Sequence, residues 1–464
     1  MTKKLVALTI TLGIITTLTT SAWAGGDGIG TATSTLIGIG TGTGTGTGSG
    51  SGSGTVSGTV SGTVSGTVSG TVSGTVSATP SPAPVKVNNL PQYDVTKLLT
   101  LFDDKYRAQN FRSMNKILPS TIIKASNTPY QFKENIKPLK NLTYTYEGKK
   151  KQLIGLLEQT QTTGFIVIKN GTIVHEEYYL GNSMTANNTS WSMVKPYLSA
   201  LIGIAIQDKK INSVNDKVTK YLPELSNSAY KGVTIKQVLQ MSSGAKFNED
   251  YADPSSDVSK MIPALFFFNM PASQIVAKVT SESKPGTFKY KSVDAQVLGM
   301  LIHKTTGLQP DKYLEKKLWQ PLGMESNAYW NTDMRGNDLS FGFLSATLRD
   351  FAKFGELYIN DGKWGKQQII PKQWIQESVH PDRDSLQPGV ASSDFGYQYQ
   401  WWYPKDNNGT EFVAIGMSGQ YTYVNQLEKV VIVKTSADAN FYGDSYENIT
   451  AFRTIVEDLK KSKK

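Results

Sequence analysis

Thr189-Ser190-Trp191-Ser192-Met193-Val194-Lys195-Pro196-Tyr197 runs directly into Leu198, Leu201, Ile202, Ile204, Ala205 and Ile206. The second set is apolar on more than one helical face, the pattern of a helix enclosed by other elements. The segment therefore predicts a buried central helix in a layered domain. At its start stands Ser192-x-x-Lys195. On a helix, residues i and i+3 lie about 5–6 Å apart at Cβ, which sets an amine beside a hydroxyl. A serine hydroxyl is a poor nucleophile at neutral pH until a base takes its proton. Lysine serves where burial and nearby positive charge lower its pKa. The pair points to a serine hydrolase.

Pro196 bears on where the helix begins. In a helix interior it removes a hydrogen bond and clashes with the preceding turn, but the first four helical N–H groups have no internal partner anyway. A start near Ser192 puts Pro196 at the end of that permitted zone. It also puts Ser192 at the positive end of the helix dipole, where a developing anion is favoured. Ser-x-x-Lys occurs again at Ser113–Lys116 and Ser281–Lys284. The first reads as a surface turn, the second as a loop running into Pro285-Gly286.

On the N-terminal side, Gly164 to Tyr179 holds two β-rich runs around Asn170-Gly171, a strong hairpin signal. Val95 to Phe111 reads as one helix within a wrapping lead-in. On the C-terminal side, Gln207 to Leu225 reads as a polar turn and a proline-containing loop. Thr234 caps a short helix ending at Gly244, and 245–285 reads as a helical and looped insertion carrying Glu249-Asp250-Tyr251. Tyr290 precedes a helix marked by Val297, Leu298, Leu301 and Ile302. Thr347 caps Leu348 to Ile359, with Asp350 at the capping-box position. Gly396 to Trp402 reads as an aromatic strand. Phe412–Ile415, Tyr421–Asn425 and Val430–Lys434 read as three more, before a last helix over Tyr446–Lys460. Hairpin, helices, strands and helix predict an α+β domain, an antiparallel sheet flanked by helices with a mainly helical insertion, over 89–464.

What precedes the domain has a different composition. Lys3 and Lys4, an apolar run from Leu5 to Leu18 and Ala22-Trp23-Ala24 read as a signal peptide over 1–24. The run is shorter than the roughly 20 residues a membrane helix needs. Cleavage is expected after Ala24, with a mature start at Gly25, a secreted or periplasmic location and no integral membrane span. Residues 25–88 are mostly Gly, Ser, Thr and Val, with Thr-Val-Ser-Gly repeats from Thr55, and bury too little to fold. They form a linker reaching roughly 40 Å, or a tolerated repeat expansion. The second reading is favoured, because cleavage leaves the linker nothing in front to tether.

The chain has no cysteine, which excludes disulfides, thiolate metal sites and a cysteine nucleophile. Net charge is +10, of which Lys3 and Lys4 supply two. The lysines are scattered and no nucleic-acid-binding motif appears, so nucleic acid is not an expected partner. Histidine is limited to His175, His303 and His380, without H-x-x-x-H spacing or a G-x-S-x-G elbow. A Ser-His-Asp triad and a metal hydrolase are disfavoured, and no metal or cofactor is expected. The Gly-Lys pairs at 362–363 and 365–366 lack a phosphate-loop frame.

Ser192-x-x-Lys195, Tyr290-Lys291-Ser292 and Met417-Ser418-Gly419-Gln420 follow one another as Ser-x-x-Lys, Tyr-x-Asn/Ser and Lys/His-x-Gly do in penicillin-recognising serine hydrolases. Thr163–Gly171, Ile206-Gln207-Asp208, Met241-Ser242-Ser243-Gly244, Leu344–Asp350 and Gly416-x-x-Gly419-Gln420 extend the match. From about 105 to 460 the chain resembles the 6-aminohexanoate-dimer (nylon oligomer) hydrolase branch, near class C β-lactamases and family VIII esterases. The resemblance implies a β-lactamase/transpeptidase-like fold. It makes Ser192 the acylated nucleophile, and Lys195 with Tyr290 the proton relay, Lys195 favouring a phenolate on Tyr290. Backbone N–H groups of Ser192 and Gln420 become the oxyanion hole. Tyr251, Ser292, Met417, Ser418 and Gly419 become substrate contacts. The implied substrate is a small-molecule amide or ester. The chain departs from the pattern at Met417, which brings no cation for a carboxylate, at Ser292 in place of Asn, and at Pro196. The first departure counts most against a β-lactamase or D,D-peptidase. A non-catalytic penicillin-recognising binding protein is the other alternative, disfavoured by keeping Ser192, Lys195 and Tyr290 together.

Overall fold

Asn170 and Gly171 both take positive φ, 51° and 69°, the mirror-image turn whose twist matches a two-residue hairpin. They join strands β2 (Thr162–Lys169) and β3 (Thr172–Tyr178). This is a computed structural model that describes residues 93–139 and 141–461. The expected signal peptide (1–24) and linker (25–88) lie outside the described residues.

The hairpin belongs to an eight-stranded sheet. Its other members are β1 (Lys133–Glu134), β4 (Phe395–Gln398), β5 (Trp401–Pro404), β6 (Glu411–Gly416), β7 (Gln420–Asn425) and β8 (Val430–Ser436), in the order β4-β5-β6-β7-β8-β2-β3-β1. All pairs are antiparallel except β1 with β3. The C-terminal strands thus close onto the early hairpin through β8 and β2, from Val430 opposite Lys169 to Lys434 opposite Phe165.

Alternation along the central strands feeds two cores. Ile166, Ile168, Val431 and Val433 face one of them. Phe165, Val167, Val430 and Ile432 face the other, as period-two side-chain geometry requires. On the first face the helix Leu348–Ile359 lies so close that a Cβ on Gly355 would stand 2.6 Å from Val431. On the second lies the C-terminal helix Phe441–Lys461, whose Phe452 packs on Phe165, Tyr421 and Tyr423. The result is an α+β layered fold, with the insertion built from helices Asp257–Phe266 and Ala272–Ala277.

Three local readings are corrected. Val95–Phe111 is two helices, Val95–Leu99 and Asp104–Phe111. The break folds the chain back so that Leu98, Leu101 and Phe111 all reach the core. Gly396–Trp402 is the hairpin β4–β5, turning at Tyr399 and Gln400 with φ of 36° and 73°. Neither residue favours that conformation, but the turn is buried and tied to Leu239 O by the Gln400 N–H at 3.1 Å. The helix capped by Thr234 ends at Leu239, well short of Gly244.

A second sheet carries the segment that leads to Ser192. Ser120–Ile123, Ala328–Asn331, Leu344–Ala346 and Asn188–Thr189 pair in that order. Asn188 and Thr189 lie opposite Ala346 and Ser345. The chain therefore reaches Ser192 from a fixed strand edge.

Candidate active site

Ser192 lies in a 3-10 turn, Trp191–Val194, that runs into the helix Lys195–Gln207. The α-helix thus starts at Lys195, and Pro196 falls in its first turn, where a missing N–H costs nothing. Lys195 to Ala205 is buried throughout. Trp191 has φ of 44°, a sparsely populated conformation costing about 1–3 kcal/mol. Its ring is held by Phe102, Phe111 and Phe343 at centroid distances of 5.5, 5.2 and 5.1 Å. The Ser190 N–H donates to Leu344 O at 2.7 Å. This packing leaves Ser192 partly exposed while Trp191, Met193 and Val194 are buried.

Lys195 is 1% exposed. Its Nζ lies 2.8 Å from Ser192 Oγ, 2.7 Å from Phe341 O and 3.4 Å from Ser292 Oγ. Burial pushes its pKa down to about 7, against the opposing charge of Glu249. Near neutral pH a large fraction of the amine is therefore unprotonated. A neutral amine has two N–H groups and one lone pair. With Phe341 O and Ser292 Oγ as acceptors, the lone pair is left for the Ser192 O–H. The Phe341 carbonyl is in turn held by its loop: Gln296 receives the Ser340 N–H at 2.9 Å and donates to Asp338 O at 3.0 Å.

Tyr290 joins this pair. Its ring stacks on Trp402 at 5.3 Å and meets Tyr397 at 6.0 Å, and Lys195 Nζ sits over it, 5.1 Å from the centroid. The surroundings of the ring work against the expected phenolate. Burial, then Glu249, pushes the Tyr290 pKa well above its ordinary value, outweighing the Ser192 hydrogen bond that lowers it. Tyr290 and Lys195 thus share Ser192 as a hydrogen-bond partner, with burial favouring the neutral phenol. The Met241–Gly244 run explains its place in the pattern here: Met241 O and Ser242 O receive the N–H groups of Lys289 and Gly286, both at 2.9 Å. That fixes the loop before Tyr290.

The remaining site residues divide. Tyr251 is partly buried beside this cluster, and its hydroxyl donates to Glu249 at 2.7 Å. Ser292 is buried and opens the helix Ser292–Thr306, with its hydroxyl given to Glu249. The β6–β7 turn reaches Ser192 from the sheet. A Cβ on Gly416 would stand 2.3 Å from Ser190 O and 3.1 Å from Met193 N, so only glycine lets the strand back onto the Ser192 turn. Met417 packs partly buried against the core. Ser418 and Gln420 are buried, and Gly419 faces Ser436. Gln420 lies opposite Gly416, and its side chain donates to Met417 O, Ser418 O and Ser436 O at 3.1, 3.1 and 2.7 Å. That side chain braces the turn.

Sequence reasoning missed Glu249 and the Phe341 carbonyl as parts of the site. No spacing rule links 249 to 292 or 341 to 195. The nearest signal for Glu249 was its place two residues before Tyr251. Among the described residues no three His, Cys, Asp or Glu side chains gather into a metal-binding group. No helix there is long and apolar enough to cross a membrane.

The Beta-lactamase family profile matches residues 151–451. The 6-aminohexanoate-dimer hydrolase of Paenarthrobacter ureafaciens is 27% identical over 291 residues, 61% of this chain and 74% of the relative. A Bacillus anthracis structure provisionally named 6-aminohexanoate-dimer hydrolase superposes with a TM-score of 0.71 at 24% identity, covering 82% of this chain and 99% of that one. EstCE1, a hydrolase with promiscuous acyltransferase activity, superposes at 0.54 with 12% identity, over 65% of this chain and 96% of its own. These two likenesses confirm the fold. The profile spans well over half of the sequence, and the chain belongs to the Beta-lactamase family of serine hydrolases.

Proposed function

We propose that the protein is an exported hydrolase that cleaves an amide or ester bond in a small molecule through an acyl-Ser192 intermediate. The observation that carries this reading is the buried Lys195 amine, 2.8 Å from Ser192 Oγ with its pKa pushed down to about 7. In the first step neutral Lys195 takes the Ser192 proton as Oγ bonds to the substrate carbonyl carbon. The carbonyl oxygen becomes an oxyanion, met by the Ser192 N–H and a backbone N–H of the Met417–Gln420 turn, where the family pattern assigns Gln420. Collapse breaks the bond to the amine or alcohol, which leaves with a proton relayed from Lys195 through Tyr290. Water then adds to the acyl carbon, gives a proton back through the same pair, and releases the acid with Ser192 restored. Tyr251, Met417, Ser418 and Gly419 border the substrate. Ser292, turned toward Glu249, acts behind the amine. The N-terminal pattern over 1–24 supports export, with secretion or a periplasmic location following from it.

Met417 offers no charge to a substrate carboxylate, so neutral esters and amides are preferred over β-lactams. The test uses the full-length protein with p-nitrophenyl acetate and butyrate, nitrocefin and 6-aminohexanoate dimer, alongside a fluorophosphonate followed by intact mass. One adduct on Ser192, with ester or amide turnover, is the expected result. An adduct on Ser113 or Ser281, or turnover with no adduct, overturns it.

A further inference from the structure

Glu249 closes a circuit that neither the motifs nor the proton relay uses. Its Oε2 accepts the Ser292 N–H at 2.7 Å, at the start of the helix Ser292–Thr306. Its Oε1 accepts the Ser292 hydroxyl, and the Tyr251 hydroxyl at 2.7 Å. Ser292 Oγ in turn lies 3.4 Å from Lys195 Nζ. One hydroxyl therefore joins a carboxylate to the catalytic amine.

A hydroxyl has one proton and two lone pairs. While Ser292 gives its proton to Glu249, only lone pairs face Lys195, and Ser292 must accept an amine N–H. Phe341 O, 2.7 Å away, takes a second N–H. Those two acceptors aim the lone pair of the neutral amine at Ser192. Released from Glu249, Ser292 is able to donate to that same lone pair and compete with Ser192 for it. We propose that Glu249 is a positioning residue: through Ser292 it orients the Lys195 lone pair, and through its charge it sets the pH at which Ser192 becomes nucleophilic. This rests on the acyl-Ser192 reading above.

The sign of the charge effect is definite. A nearby carboxylate favours the ammonium, and Glu249 opposes the downward push of burial on Lys195. Glu249 is the charged group that acts on the Lys195 amine, and Glu249 and Tyr442 are the groups that act on Tyr290. Tyr251, Tyr397 and Tyr442 are all pushed up, chiefly by burial. Lys291 is pushed down by burial. Asp294, held by the hydroxyls of Tyr230 and Ser243, is raised to about 6 by burial, but its charge acts on Tyr397 and not on the Lys195 amine. The 333–343 loop presents the amine with a neutral carbonyl. Removing the carboxylate therefore lowers the Lys195 pKa further.

The test follows the second-order rate of Ser192 phosphonylation by an uncharged fluorophosphonate from pH 5 to 9, on the full-length protein, read by intact mass. Glu249→Gln is expected to move the acid midpoint down by about half a unit or more and to lower the plateau rate about tenfold. Glu249→Asp, which keeps the charge, is expected to return the midpoint to the parent's. An unmoved or raised midpoint in Glu249→Gln, or an Asp protein that behaves like the Gln one, overturns the proposal. Should the Gln protein lack a cooperative melting transition, Ser292→Ala is read instead. A lowered plateau supports the link, and a parent-like profile overturns it. No Ser192 adduct in the parent at any pH overturns the acyl-serine reading and this one with it. Normal parent labelling with an unmoved midpoint overturns this one alone.

Discussion

Gly416→Ala tests whether the sheet edge sets the position of Ser192, the proposed nucleophile. The added methyl would lie 2.3 Å from Ser190 O and 3.1 Å from Met193 N. Ordinary contact begins near 3.4 Å, so strand and turn must part by about 1 Å. The turn has little room to give. Trp191 on one side is locked among Phe102, Phe111 and Phe343, and Ser190 N–H is tied to Leu344 O. A misplacement of about 1 Å costs on the order of a hundredfold in rate, and overpacking of this kind destabilises by about 1–3 kcal/mol. The assay pairs the phosphonylation rate of Ser192 with a urea melt. Gly155→Ala is the control, because its new methyl meets nothing within 4 Å. The expected result is about a hundredfold slower labelling in Gly416→Ala with a lowered urea midpoint, and no change of rate in the control. Labelling at the parent rate in Gly416→Ala would show that the β6–β7 turn does not position Ser192.

Four further outcomes are expected. The hydrolysis rate of a p-nitrophenyl ester rises with pH through a midpoint near 7, because Lys195, pushed down to about 7, must lose its proton to act as base; a rate independent of pH from 5 to 9 would count against Lys195 in that role. Met417→Lys restores a charge-assisted contact of about 1.5–3 kcal/mol, and so improves nitrocefin turnover relative to p-nitrophenyl butyrate by roughly ten- to a hundredfold; a ratio unchanged from the parent would refute the role given to Met417. Burial raises Asp294 to about 6, above its unfolded value, so its protonated form favours the folded state and this advantage is lost as pH rises through 6. Calorimetry from pH 5 to 8 should therefore show Asp294→Asn gaining melting temperature relative to the parent, and a constant difference would refute that. N-terminal sequencing of protein from the envelope or medium should begin at Gly25; Met1 would overturn the export reading.

The features legible in the sequence are those whose cause is local. Asn170-Gly171 specifies its turn because two adjacent residues tolerate positive φ. Thr347 marks the start of Leu348–Ile359 because its side chain accepts the Asp350 N–H within one turn. Ser192 and Lys195 lie three residues apart, so their approach follows from the turn that contains them. The Tyr399–Gln400 turn was invisible for the opposite reason. Its two residues do not favour it, and it exists because Leu239, distant in sequence, supplies its hydrogen bond. The chemistry of the site follows the same division. A lysine beside a serine could be read from spacing, but its descent to about 7 comes from burial by elements far along the chain. The expectation of a phenolate on Tyr290 counted a neighbouring charge and omitted desolvation, which pushes the phenol the other way and exists only once Trp402 and Tyr397 close around the ring. Glu249 reaches Ser292, and Phe341 reaches Lys195, across gaps in sequence that no periodicity spans. Only the folded layers bring them within hydrogen-bonding distance, and hydrogen bonding and desolvation act over a few ångströms of space, whatever the separation along the chain.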